Sequence, residues 1–454
     1  MDKADLLGLR AELDEFLGEF RGCFVTDETA GHLGVYVRGQ LGPLARKSVE
    51  PMALDGGVPP RTLQEFLSLH VWDEGLMGRG AREIVARDHG DPGAILIVDD
   101  TGVAKKGKKT AGVQRQYCGS TGKVDNCVVA VHLGYVAKDF HALVDGDLYL
   151  PRESWLDNPE RCAAAGIPPE MKFRTKPEIA LDLIDRTLAD GVPARWLTSD
   201  EGYGESPAFL NGVAARKLLY VVEIPRSVRG WTPAGRACGR AHRRVELLWD
   251  RGGPSWVTYR VKETAEGPLV WNARATRFFP SWDPKQELWL VIAENVLTHE
   301  KKYFLSNAPA TTPVPELLTV AFSRWHVERL FQDGKQEVGL AHFETRKYRA
   351  IQRHLAVSML SLLFLNRARS ARGALEPIAI ALTPPAGDRG AARTRAIEPR
   401  EGATHPARAS DHRLSPALRR AGEGLAREGT APGTTRRGRR SAAGEKVSEM
   451  DVAL

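Results

Sequence analysis

Apolar residues recur three and four positions apart in LRAELDEFLGEF and RTLQEFLSLHVWDEGL, and Pro59-Pro60 precedes the second segment as a start signal, so residues 1–90 are expected to be helical. Between these segments VRGQLGPLARKSVEP reads as a basic, broken stretch. Such a region fits either a helix-turn-helix-like DNA-binding module or a helical lid packed on the main domain. From Ala94 the texture changes. ILIVDD, VDNCVVAVHLGYV and FHALVDGDLYL are short apolar runs separated by turn residues, which predicts consecutive antiparallel strands. KPEIALDLIDRTLADG then has helical periodicity up to Gly191, and ARWLTSDEGYG returns to a strand, so residues 91–214 read as a mixed α/β core. Residues 215–312 carry the β-type segments LLYVVEIP, PSWVTYRVKE, VWNARATRFF, ELWLVIAENV and KKYFLSNA, a β-rich block. Helical periodicity resumes over 313–370 in PVPELLTVAFSRWHVERLFQDGKQEVGL and HLAVSMLSLLFLNRAR.

After Ala371 there is no Phe, Trp or Tyr, and a segment so poor in apolar surface is expected to be disordered. From Ser370 onward fifteen Lys and Arg stand against ten Asp and Glu, which supplies +5 of the net +7. The remainder is close to neutral, so the pI of about 9.1 says little by itself about a polyanionic partner. The five cysteines (Cys23, Cys118, Cys127, Cys162, Cys238) form no CxxC pair and leave one over in any disulfide scheme, as expected for reduced thiols. No apolar run reaches the roughly 18 residues of a membrane span, and no charged-then-apolar amino terminus marks a secretory signal, so the expected location is the cytoplasm.

Three acidic positions stand out. The Ile-Leu-Ile-Val run suits a strand buried on both faces, with no place in its core for Asp99 and Asp100, so both acids are expected at the strand's end. Asp200 again follows apolar residues and precedes a Gly-x-Gly turn. Glu328 lies in a helical segment with Arg324 four residues before it and Lys335 seven after, all on one helical face. Carboxylates gathered at the open end of a sheet repel one another unless a hard divalent cation joins them. Two such ions about 3.5 to 4 Å apart can activate an attacking oxygen and stabilise a leaving one in phosphodiester cleavage. Lys105 and Lys106, with the rest of KKGKK, would then hold phosphates of the polyanion being cut. Each feature has a plainer reading: an Asp after a strand commonly caps a helix, a lysine run is commonly a solvated loop, and Arg324 with Glu328 can be an exposed ion pair. Their joint occurrence, in the order strand acid, strand acid, helix acid, favours catalysis.

At these residues the sequence resembles a known family. VDDTGVAKKGKKTAGVQRQYCGSTGKVDNC, LYLPRESW, FRTKPEIAL and SDEGYG are similar to segments of the DDE transposases of bacterial insertion sequences, in the group with a β insertion before the catalytic glutamate; the similarity runs from Thr62 to Asn366. The resemblance implies an RNase H-like mixed-sheet core in residues 91–214 and 313–370, interrupted by the β block. The family motif Tyr-x2-Arg-x3-Glu-x6-Lys is met by Arg324, Glu328 and Lys335, with Ala321 at the tyrosine position, and Asp-x-Gly-Tyr is met by Asp200-Glu201-Gly202-Tyr203. The first carboxylate is Asp99 if the pattern is Asp-x-Thr and Asp100 if it is Asp-Thr; adjacent strand residues face opposite ways, and Asp99 is the one preferred.

The implied chemistry is cleavage at transposon ends by metal-activated water, then attack of the freed 3′ hydroxyl on target DNA. Asp99 or Asp100, Asp200 and Glu328 would hold two Mg²⁺ ions, with Mn²⁺ as a substitute, while Arg324 and Lys335 would contact end phosphates. The implied partners are double-stranded DNA, as ends and target, and a second protomer when DNA is bound; the implied place is the bacterial nucleoid. Among Trp231, Trp256, Trp271, Trp282 and Trp289 of the β block, one could stack on an extruded base, although core packing is the ordinary fate of a tryptophan. Two alternatives are a transposase-derived DNA-binding protein that no longer cuts and an RNase H-like nuclease without strand transfer. Retention of all three carboxylates argues against the first, and the aromatic-free tail argues for it.

Overall fold

The computed structural model describes residues 3–372 apart from 139, 250–252 and 265–266; the tail expected to be disordered lies outside the described residues. Five helices come first: α1 (Lys3–Gly18), α2 (Asp27–Leu41), α3 (Val49–Asp55), α4 (Pro60–Ser68) and α5 (Glu74–His89). The basic, broken stretch of the sequence reading holds the last turn of α2, the loop after it and the start of α3. Three glycines lower the helical propensity of α2 and hide it from periodicity. One has a packing reason, because a Cβ on Gly39 would stand 2.8 Å from that of Met52 in α3. Thr26 starts the helix by accepting from the Thr29 amide at 3.2 Å.

The strands and helices that follow are β1 (Ile95–Ala104), β2 (Gln114–Cys118), β3 (Lys123–Ala137), β4 (Phe140–Leu148), α6 (Pro159–Ala165), α7 (Lys176–Ala189), β5 (Trp196–Ser199), α8 (Glu201–Gly204), α9 (Pro207–Ala215) and β6 (Leu219–Glu223). Beyond them lie β7 (Arg229–Trp231), α10 (Pro233–Ala237), β8 (Arg243–Arg244), β9 (Val257–Thr264), β10 (Gly267–Pro280), β11 (Leu288–Asn295) and β12 (Lys301–Ser306). Three helices close the described chain: α11 (Val314–Phe322), α12 (Trp325–Glu337) and α13 (Tyr348–Arg372).

The fold is mixed α/β around a 12-stranded sheet whose order is β2-β3-β1-β5-β6-β12-β11-β10-β7-β8, with β4 on β3 and β9 on β10. β3 pairs antiparallel with both β1 and β4, as the sequence predicts, whereas β5 runs parallel to β1 and β6 parallel to β5. β6 also pairs antiparallel with β12, so the sheet passes without a break into the β-rich block. α1 to α5 share one hydrophobic core with α13, with Phe16 against Phe364 at a ring separation of 5.4 Å. α11 covers a second core built on Trp196, Val221, Trp271 and Phe304. No helix of the described residues is long and apolar enough to cross a membrane.

One expectation needs correction. Asp99 and Asp100 do not end β1; the strand continues to Ala104 because β3 pairs with it throughout, as far as Ala104 opposite Cys127. What ends is the other neighbour. β5 pairs with β1 only up to Val98 opposite Ser199, so the two acids stand where one side of a continuing strand is released.

Candidate active site

The parallel register places Asp99 and Asp200 at the next positions of adjacent strands, just beyond the Val98–Ser199 pair. Neighbouring strands lie about 4.8 Å apart, so the two carboxylates are close by construction. Asp200 caps α8, its Oδ1 accepting from the amides of Gly202 at 3.0 Å and Tyr203 at 3.4 Å. The capping role and nearness to Asp99 are therefore compatible. Alternation along β1 turns Asp99 and Asp100 to different partners: Arg324 Nη1 donates to Asp99 Oδ2 at 3.1 Å, and Lys176 Nζ donates to Asp100 Oδ2 at 2.8 Å.

Arg324 stands just before α12 and links two of the acids. Its Nη2 is 2.8 Å from Oε1 of Glu328, one turn later, while its Nη1 holds Asp99. Lys335 is half-buried further along α12, and burial pushes its ammonium below the ordinary lysine range against the opposing pull of Cys118 and Asp99. The helical face expected from the spacing of Arg324, Glu328 and Lys335 thus looks toward β1.

Burial, and then the charge of Asp200, push the Asp99 carboxyl up to about 7, against the pull of Arg324. Asp200 is raised as well, by burial and by Asp100. Tyr203 lies beneath this group, 3% exposed, and its hydroxyl has no hydrogen-bond partner among the described residues. Burial and the three nearby aspartates raise it well above the ordinary tyrosine value. Among the described residues no three His, Cys, Asp or Glu side chains converge into a cage, because Glu328 is turned to Arg324 and its side chain is 59% exposed.

The lysine loop divides. Lys105, expected to contact phosphate, donates to the Phe343 carbonyl at 2.5 Å and lies 3.5 Å from the centre of that ring. Burial lowers its ammonium to about 8. It anchors the loop, while Lys106, Lys108 and Lys109 are exposed. The tryptophans also separate. Trp271 is buried in the second core, Trp231 and Trp289 donate to the carbonyls of Arg240 and Pro309, Trp282 packs at the edge of the main core, and exposed Trp256 stacks on Arg274 at 4.3 Å.

Two neighbours of the site escaped the sequence reading. Lys176 opens α7 after a capping box in which Thr175 and Glu178 exchange hydrogen bonds, and this box aims it at Asp100. Glu223 ends β6 and is close enough to Arg324 to act on its charge, while Lys302 holds it at 2.9 Å. The signal for Glu223 was present in LLYVVEIP, an acid closing an apolar run as Asp200 does.

Comparison with known proteins gives the family. Residues 19–245, half of the chain, match the model of the DDE superfamily endonuclease family, and residues 175–364 match that of the transposase DDE domain. A probable transposase for insertion sequence element IS701 from Microchaete diplosiphon is 28% identical over 319 residues, which cover 69% of this chain and 76% of that protein. The chain therefore belongs to the DDE superfamily of endonucleases and carries a transposase DDE domain.

Proposed function

We propose that the chain is the transposase of an insertion sequence, cutting DNA at the element's ends and joining the freed 3′ hydroxyl to target DNA. An RNase H-like core is the reading favoured by antiparallel β4-β3-β1 continuing into parallel β5 and β6, with the strands from β7 to β12 as the insertion. The observation that carries the proposal is the adjacency of Asp99 and Asp200 beyond the Val98–Ser199 pair, with Arg324 bridging Asp99 to Glu328.

The donor set fits a hard divalent cation. Asp99 and Asp200 hold their protons more tightly than free carboxyls, through burial first and then through the charge of Asp200 on Asp99 and of Asp100 on Asp200, which is the setting a cation with oxygen ligands relieves, and Arg324 is the positive charge that meets Asp99. Asp99, Asp200 and Glu328 would hold Mg²⁺ or Mn²⁺, which supplies an activated water and neutralises charge on the leaving oxygen. The protein's own side chains do the rest. Tyr203 closes the floor against water, Arg324 orients Asp99 and Glu328, and Lys335 with the exposed Lys106 receives phosphates. DNA is the substrate in this reading, and pairing of two ends calls for two protomers on bound DNA.

The test is cleavage of a labelled duplex carrying the flanking end, with Mg²⁺ or Mn²⁺, by wild type and Glu328→Gln. Metal-dependent nicks in wild type alone support the proposal, and joined products with target DNA separate a transposase from a nuclease. End binding by both proteins with cutting by neither would replace the proposal with a binding-only role.

A further inference from the structure

Between residues 224 and 244 the chain contains six arginines (Arg226, Arg229, Arg236, Arg240, Arg243, Arg244) and His242, and not one Asp or Glu. This is the segment from the end of β6 through β7, α10 and β8, in a folded part of the chain that is otherwise close to charge balance. We propose that this arginine flap grips the phosphate backbone of duplex DNA flanking the cut site, as a contact separate from the residues around Asp99. The inference rests on the transposase reading above.

Three structural observations carry it. The first is the cost of the charge pattern. β7 and β8 set Arg229 directly opposite Arg244, and Gly230 opposite Arg243, and like charges facing across a strand pair are destabilising. Arg226 and Arg244 share Glu246, at 3.5 and 2.9 Å. Arg229, Arg236 and Arg240 are exposed and have no carboxylate partner among the described residues. Nothing within the described chain balances them, and a polyanion does.

The second observation is that the flap is built. Trp231 Nε1 donates to the Arg240 carbonyl at 2.7 Å, Arg236 lies 4.2 Å from the Phe279 ring centre, and the Val245 amide donates to the Val228 carbonyl at 2.8 Å. Residues held this way present guanidinium groups at set positions, which suits the planar recognition of phosphate.

The third is place. The flap leaves the C-terminal end of β6, the same end of the parallel strands β1, β5 and β6 at which Asp99 and Asp200 lie. At this end opens a cleft of about 420 Å³ lined by Glu201, the residue after Asp200, by Arg226 and Arg244 of the flap, and by Glu223, Lys301 and Lys302. Duplex resting on the flap would therefore lie at the end of the sheet that holds the acids. The contact is with backbone, so it is independent of base sequence.

The experiment measures binding of a labelled 30-base-pair duplex to the full chain across a salt series. It compares wild type with Arg229→Gln/Arg236→Gln/Arg240→Gln, its three-lysine counterpart, and the single Arg240→Gln. Each phosphate contact adds about 0.9 to the slope of log affinity against log salt, so the triple glutamine variant should lose about 2.7 of slope. Wild type should then fall about 40-fold more than this variant between 50 and 200 mM salt. The lysine counterpart should recover most of the slope, and Arg240→Gln alone should lower it by about 0.9 even if the triple variant fails to fold. An unchanged slope in the glutamine variants, or a lysine counterpart as weak as glutamine, overturns the flap contact and leaves the transposase reading standing. Wild type that binds no duplex overturns both.

Discussion

Asp99 and Asp100 are neighbours in sequence and differ in surroundings because a strand alternates its side chains. Asp99 meets Arg324 and lies beside Asp200, while Asp100 is tied to Lys176. Asp99→Asn should therefore lose cutting by on the order of 10³-fold or more, since a metal ligand contributes several kcal/mol to the transition state. Asp100→Asn removes a partly exposed ion pair, so cutting should persist and stability should change by less than about 1 kcal/mol. A readout apart from activity is thermal unfolding. Mg²⁺ should raise the melting temperature of wild type and leave that of Asp99→Asn unmoved, because a ligand stabilises only the state that binds it. An equal rise in both proteins would remove Asp99 from the metal site.

At the scale of elements, α13 is the strut on which the N-terminal helices hang. Arg353 is fully buried and donates to the carbonyls of Phe66, Leu67, His70 and Trp72, closing the C-terminal end of α4, and Glu74 at 3.1 Å balances its charge. Arg353→Met leaves those acceptors and Glu74 unpaired and should cost about 3 to 5 kcal/mol in urea unfolding. The next residue gives a pH dependence. His354 is fully buried, accepting at Nδ1 from the Tyr36 hydroxyl at 2.8 Å and donating from Nε2 to the Leu340 carbonyl at 3.2 Å. That is the neutral imidazole, and burial holds its pKa down to about 4. The unfolded chain takes up this proton near pH 6.5, so the stability His354 contributes is full above that pH and is lost as pH falls toward 4, by roughly 3 kcal/mol. His354→Gln should unfold with a correspondingly smaller loss between pH 7 and pH 4. The period of apolar residues showed α1, α4 and α7 clearly, because each has a solvent side that breaks the pattern, and α13 showed as an apolar run because most of its length is buried. It did not show α2, whose three glycines carry no apolar signal and of which Gly39 packs closely on α3.

On the scale of the whole molecule, sequence order and spatial order part company at the site. Asp200 and Glu328 are separated by the strands of the β block, yet the sheet returns through β12 to β6 and sets α12 over β1. Residue types and spacing were enough to nominate Asp99, Asp200, Arg324 and Glu328. They could not show that β1 runs on past its acids, since the length of β3's pairing is a tertiary fact. Nor could they show that Lys105 is an anchor, because its carbonyl partner lies 238 residues away. Charge misled in the same way: the near-neutral sum over the residues before Ser370 concealed a six-arginine segment beside the cleft.

The measurement that tests the account most directly is cleavage of a labelled end-bearing duplex in Mg²⁺ by wild type, Asp99→Asn and Asp100→Asn, with DNA binding by each protein recorded in parallel. The account predicts that all three bind, that wild type and Asp100→Asn cut, and that Asp99→Asn does not. Cutting by Asp99→Asn with none by Asp100→Asn would contradict the site as drawn here.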